Sequence, residues 1–200
     1  MRLLGRRRKS QDVCHGGMHI IQAGRLQFRS TTENEMLVGL ASASDYEAQY
    51  RLGWNATHIV SEPRRSQLLD IGPRRRGRIM QFKDAWYLHG VDSYTGQHAG
   101  MVSVGCQPHG YEIGGWLAPA FRRHRLGSEL FGAALTLAHE HLGIATVVAG
   151  AENTNTACRR ALETAGFVAM QRAPVHVLPN GRMVNSSWYA HTASTPRRCS

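Results

Sequence analysis

Between Gly127 and Leu142 the apolar residues Leu130, Phe131, Ala134, Leu137, Ala138 and Leu142 recur every three or four positions, and Gly143 stands where such a helix would end. The spacing predicts an amphipathic helix with one buried face, which must be covered by another element. Just before it, Tyr111 to Leu117 reads as a strand ended by Pro119, and a basic turn with Arg122, Arg123 and Arg125 joins the two. After it, Ile144 to Ala149 is a short apolar run fit for a buried strand, and Asn155 to Ala165 reads as a second helix closed by Gly166.

The flanking segments extend this pattern. Arg25 to Arg29 (RLQFR) alternates polar and apolar side chains as a half-buried strand does. Thr31, Thr32 and Glu33 offer cap chemistry to a helix whose apolar face would be Met36, Leu37, Leu40 and Ala41. Ala85 to Val91 and Ala99 to Gly105 flank a turn containing Thr95-Gly96 and predict a hairpin. Phe167 to Leu178 and Met183 to Ala190 are the last strands, joined by Pro179-Asn180-Gly181. Arg64 to Gly77, rich in Arg, Pro and Gly, reads as a loop. The order implies an α+β fold on a central, mostly antiparallel mixed sheet flanked by helices. A chain of 200 residues suits one core. Residues 24–190 are expected to form the domain, 1–23 a basic flexible tail with Met18 as an alternative start, and 191–200 a flexible C-terminal tail.

The formal net charge of +10 comes almost entirely from arginine, since Lys9 and Lys83 are the only lysines. It favours anionic partners, and RNA, a ribosomal surface and a polyphosphorylated cofactor all qualify. The basic start and the Arg74 to Arg78 run lack interleaved aromatics, so any RNA contact there would be electrostatic. No apolar stretch approaches the roughly 18 residues that span a bilayer, so no membrane is expected. Cys14, Cys106, Cys158 and Cys199 form no C-x-x-C pair, and no secretory hydrophobic segment follows Arg6 to Lys9. A cytoplasmic protein with reduced thiols is the expectation.

The turn before Gly127 carries the chemistry. A helix start presents unpaired N–H groups and a partial positive charge, so it can hold a pyrophosphate, and the three arginines would add to that charge. Arg122-x-x-Arg125-x-Gly127 resembles the acetyl-CoA signature Q/R-x-x-G-x-G/A of GCN5-related N-acetyltransferases (the GNAT superfamily), with Arg125 replacing the middle glycine. Asn153-Thr154-Asn155 through Ala165-Gly166-Phe167 resembles the second cofactor element of that family, an asparagine opening a helix that ends in Gly-Phe. RLQFR followed by a helix resembles the opening of its ribosomal-protein (RimJ/RimL-like) branch.

The resemblance implies acetyl-CoA as donor and direct transfer of the acetyl group to a primary amine, with no metal. Gly114, Gly115, Trp116 and Leu117 would contact the pantetheine. Arg122, Arg123, Arg125, Leu126, Gly127 and Ser128 would surround the pyrophosphate, and Asn153 and Asn155 would add cofactor contacts. Glu112, on the same strand, is the candidate base, directly or through water, with a solvent-facing strand rim as the plain alternative. Cys158 falls where the RimJ/RimL-like branch has a serine, and serves either as proton donor or as a small packing residue. Leu162 replaces the tyrosine acid of many members, which leaves the leaving-group acid open. His109 is a lesser candidate for proton handling. His139 and His141, one residue apart, diverge on a helix, so no metal site is assigned. The acceptor, expected to bind between Asp45–Gly77 and Val175–Ser187, is either a protein N-terminus or a small amine. A degenerate domain that contacts RNA or ribosomes is the rival outside enzymes, and monomer and homodimer are equally compatible with the sequence.

Overall fold

The computed structural model describes residues 13–15, 17–72 and 77–195. The basic run Arg6 to Lys9, Arg74 to Arg76 and Cys199 lie outside them. In chain order the strands are β1 (Val13–His15), β2 (Met18–Ala23), β3 (Leu26–Ser30), β4 (Ala85–Asp92), β5 (His98–Gln107), β6 (Gly110–Leu117), β7 (Thr146–Glu152), β8 (Val168–Met170), β9 (Val175–Val177) and β10 (Met183–Thr192). The helices are α1 (Glu33–Ser42), α2 (Tyr46–Leu52), α3 (Arg64–Ile71), α4 (Gly127–Thr136) and α5 (Thr156–Thr164).

The strands form one mixed sheet in the order β1-β2-β3-β4-β5-β6-β7-β10-β8, with β9 also on β10. Among the described strands every pairing is antiparallel except β6 with β7. A parallel pair needs a crossover, and α4 supplies it. Leu130, Phe131, Ala133, Ala134, Leu137 and Ala138 bury the predicted stripe of α4 and its continuation against Ile21, Phe28, Val102, Val104 and Ile113. Strand alternation sends Met101 to the other face, where it lies against Gly39 of α1.

The tail expected at residues 1–23 is corrected over its described part. Cys14 pairs with His19 and His15 with Met18 in a hairpin, and β2 continues onto β3. Buried His19 and Ile21 alternate with partly exposed Met18 and Ile20, a strand pattern masked by the apolar character of both faces. At the other end β10 runs to Thr192, into the span expected as a C-terminal tail.

The expected loop at Arg64 to Gly77 contains α3. Glu62 accepts from Ser66 N (3.2 Å) and Ser66 Oγ (2.8 Å) at its start. Leu68 is buried, and Arg65 Nε donates to Ala41 O of α1 (3.0 Å). Tertiary docking thus overrides a composition poor in helix signals. The strand expected over Phe167 to Leu178 is split into β8 and β9, and at the break Pro174 O accepts from Ser186 N (2.7 Å).

Helix α1 exists as predicted but turns a different face inward. Glu35, Val38, Gly39, Ala41 and Ser42 are buried and Leu37 is exposed. Polar partners set this orientation. Glu35 pairs with Arg29 Nη2 at 2.7 Å and accepts from Thr32 N at 2.9 Å, closing a capping box. Ser42 Oγ lies 2.8 Å from His98 Nε2. The α4 periodicity continues to Leu142 with a change of winding: Leu137–His141 is π-helical, and Leu142 N donates to Leu137 O (3.0 Å).

Candidate active site

Strands β6 and β7 pair only at Tyr111 with Val147 and Glu112 with Val148. Beyond that point β6 stays bonded to β5 as far as Leu117, and β7 to β10 as far as Glu152. The two strands therefore diverge, and Ile113 to Leu117 present backbone groups toward the resulting cleft. Gly114, Gly115, Trp116 and Leu117 are brought together on this edge. Gly115 is there for close approach, since a Cβ would lie 2.8 Å from Met101 O and 3.1 Å from Leu130 Cδ2.

A turn leads from the end of β6 to the start of α4. No side chain caps that helix at Leu126, so its first amide N–H groups face outward with the positive end of the helix dipole. Arg123 and Arg125 both have positive φ, 64° and 61°, and Leu126 follows at φ −80°, ψ −5°. Residues of alternating handedness turn successive N–H groups toward one point and make an anion-binding concavity. Gly127 and Ser128 open α4 directly after it. Gly127 also serves packing, because a Cβ there would meet Ala161 Cβ of α5 at 2.8 Å.

Arg122 does not contribute a free charge to this turn. Its Nε donates to Leu117 O (3.0 Å), and its Nη1 and Nη2 donate to Asp45 Oδ1 (2.8 Å) and Oδ2 (2.6 Å). Burial alone would raise the Asp45 pKa, yet these bonds and that from Ala48 N hold it below its usual value. Arg122 thereby ties α2 to the exit of β6. Arg123 and Arg125 are exposed and carry the open charge of the turn.

Glu112 occupies the last paired position before the fork, half-buried on the face of β6 opposite Ile113. Desolvation raises its pKa above the ordinary carboxylate value, and the positive charges of Arg172, His176 and His109 partly oppose the rise. On the same face, Trp116 Nε1 donates to Gly39 O (3.3 Å) and its ring meets Trp54 edge-on at 5.0 Å.

The opposite wall is the end of β7 and the start of α5. Asn155 caps α5, its Oδ1 accepting from Cys158 N (3.2 Å). Asn153 is bound to β10, donating its N–H to Asn185 O (2.8 Å) and accepting from Ser187 Oγ (2.7 Å). The side chain of Cys158 packs beside the core, and burial pushes its thiol up to about 11. Sequence spacing gave no hint of the cluster at the mouth. Glu152 receives Arg51 (3.2 Å) and Arg182 (3.3 Å), and Arg182 lies 4.1 Å over the Tyr50 ring. Asn180 N donates to Gly53 O (2.8 Å), so the two segments expected to flank the acceptor do meet. The only available signal was their lack of pattern.

The family model for the Acetyltransferase (GNAT) domain matches residues 25–168. No curated protein sequence matches the chain. Among solved structures, it is similar to RimL, a ribosomal L7/L12 alpha-N-protein acetyltransferase in complex with coenzyme A, with TM-score 0.65 and 20% identity over 86% of this chain and 97% of that one. Spermidine N-acetyltransferase from Vibrio cholerae with CoA and spermine gives 0.66 and 14% over 86% and 97%. Ribosomal-protein-S5-alanine acetyltransferase from Vibrio fischeri gives 0.66 and 14% over 88% and 97%.

Proposed function

The chain belongs to the GNAT acetyltransferase family, an acyltransferase with acetyl-CoA as donor and no metal in the transfer, and from this premise we propose that its acceptor is the α-amine of a protein N-terminus. The observation that carries the reading is the fork between β6 and β7 with the uncapped start of α4 at its mouth. An extended pantetheine can bond to the open edge at Gly114 to Leu117, and its diphosphate fits the N–H concavity around Arg125 to Ser128. The thioester then lies near the point of the fork, within reach of Glu112.

Transfer forms the bond from the amine nitrogen to the acetyl carbon and breaks the carbon–sulfur bond. Glu112 takes the amine proton, directly or through a water, and its raised pKa makes it a better base near neutrality than an exposed carboxylate. Cys158 is poorly matched to the leaving thiolate. A thiol held at about 11 lies above the ordinary thiol range, for which free cysteine at about 8.5 is the reference, so it would give its proton uphill to an ordinary thiolate. The thiolate can instead leave as the anion and take its proton from bulk solvent once outside the cleft, and Cys158 is assigned to packing.

Two physical arguments favour an α-amine over a polyamine. The carboxylates at the mouth, Glu152 and Asp45, are already paired with Arg51, Arg182 and Arg122, on a chain of net charge +10. A polycation meets repulsion there. An α-amine, with a pKa of about 7.7–8.0 against about 10.4 for a lysine-like amine, is also far more often neutral at pH 7 and asks less of the base. The likeness to the ribosomal-protein acetyltransferases agrees in fold.

Thiol release from acetyl-CoA measured over a panel of peptides with free N-termini, their N-acetylated controls, spermidine and an aminoglycoside tests the assignment. Turnover is expected with free α-amines and not with blocked ones. A preference for spermidine or the aminoglycoside overturns the acceptor, and no release with any amine favours the degenerate domain.

A further inference from the structure

At the far end of the sheet from the fork, three groups with metal-binding chemistry converge. The Sγ of Cys14 and one ring nitrogen each of His19 and His141 all lie within 4.8 Å of one another. Cys14 and His19 are direct antiparallel partners on β1 and β2, so their side chains share a face of the hairpin. His141 reaches them from the π-helical turn after α4, while His139 turns away to Ile144 O and His191. The divergence expected for these two histidines is real, and it delivers one of them to ligands from a different element.

We propose that Cys14, His19 and His141, with a water as fourth ligand, bind one zinc ion that clamps the β1–β2 hairpin to the end of α4. The Nδ1 atoms of His19 and His141 are 3.1 Å apart. In a tetrahedral zinc site with Zn–N distances of ~2.0–2.1 Å, neighbouring ligand nitrogens stand about 3.3 Å apart. One thiolate and two imidazoles suit a borderline-soft ion such as zinc and disfavour magnesium or calcium. Both histidines are buried and Cys14 is half-buried. A depression of about 220 Å³ borders His19, with Gly17, Ser30 and Trp86 among its other lining residues. The ion has no part in acyl transfer. It joins the hairpin to the helix whose other end forms the mouth of the cleft.

The test uses the full chain, stripped with a chelator and titrated anaerobically with Co(II). Near-ultraviolet thiolate-to-cobalt absorption and visible tetrahedral bands are expected, saturating at one ion per chain and displaced by Zn(II). Cys14→Ser should lose the thiolate absorption. His141→Asn should weaken binding by at least on the order of 10- to 100-fold, the loss typical of groups that merely support a ligand. Melting curves without metal establish that each variant is folded, and if His141→Asn is not, Cys14→Ser still decides the matter. Absence of thiolate absorption in the wild type, or an unchanged titration with Cys14→Ser, would overturn the site.

Discussion

Glu112 combines two properties that oppose each other. Its desolvation improves it as a base and at the same time costs stability. A carboxyl whose folded pKa is raised contributes stability that is present below its unfolded pKa and lost as pH rises through the folded value. Glu112→Gln should therefore melt higher than the wild type at neutral pH, and the difference should vanish below the ordinary value of 4.5. The same variant should lower kcat by about 10²-fold or more and flatten the acidic limb of the pH–rate profile. An unchanged profile would remove Glu112 from the chemistry. Arg125 separates strain from binding in a similar way. Relief of its positive φ is worth about 1–2 kcal/mol, partly offset by the freer unfolded chain of glycine. Denaturant unfolding should show Arg125→Gly to be up to about 1 kcal/mol more stable, while its KM for acetyl-CoA rises if the guanidinium meets a phosphate. At this scale the sequence was legible where a residue lies within a motif. Arg125 could be suspected of a left-handed conformation because it replaces a glycine, whereas Arg123 replaces nothing and shares the same strain. Arg172 and His176 reach Glu112 only through the fold, and no spacing announces them.

The elements were legible where one face is apolar and the other polar, as in α4, and where apolar runs flank a turn signal, as in the β4–β5 hairpin. Helix α1 shows the limit, because it buries Glu35 and Ser42 while exposing Leu37. Hydropathy counts side chains before their partners are known, and here Arg29 and His98 are the partners. Glu35→Ala leaves Arg29 largely buried without its counter-charge and removes a cap. A loss of about 3–5 kcal/mol in denaturant unfolding is expected. A cost below about 1 kcal/mol would show that the pair does not orient α1. The α4–α5 contact gives a second test, in which Gly127→Ala brings a methyl within 2.8 Å of Ala161 Cβ. Overpacking costs about 1–3 kcal/mol and exceeds the gain of about 1 kcal/mol in helix propensity. Unfolding midpoints should fall accordingly. Helix α3 is held by docking rather than by its own periodicity, and the alternation of β2 is hidden because both of its faces carry apolar residues.

Across the whole molecule, His89 and His98 bury neutral imidazoles under α1, their rings 4.7 Å apart. Desolvation pushes both down to about 3; the charge of Arg29 adds to the effect at His89, and the neighbouring imidazole adds to it at His98. Groups with depressed folded pKa values contribute stability above their unfolded pKa, and it is lost as pH falls toward the folded value. The melting temperature should thus decline as pH drops below 6.5, the ordinary histidine value, and His98→Asn should reduce that decline. The family and the run of elements from β4 to α5 were readable because three weak motifs fall in one order along the chain. The acceptor was not, because its walls come from segments far apart in sequence. The cleft itself is most directly tested by thermal-shift titration with acetyl-CoA, comparing the wild type with Ser128→Glu. An acidic residue in the first turn suits the helix dipole and preserves the fold, but it repels a diphosphate. A saturable rise in melting temperature is predicted for the wild type, absent or much reduced in the variant. No rise at millimolar acetyl-CoA, or an equal rise in both, would contradict the placement of the cofactor at the start of α4.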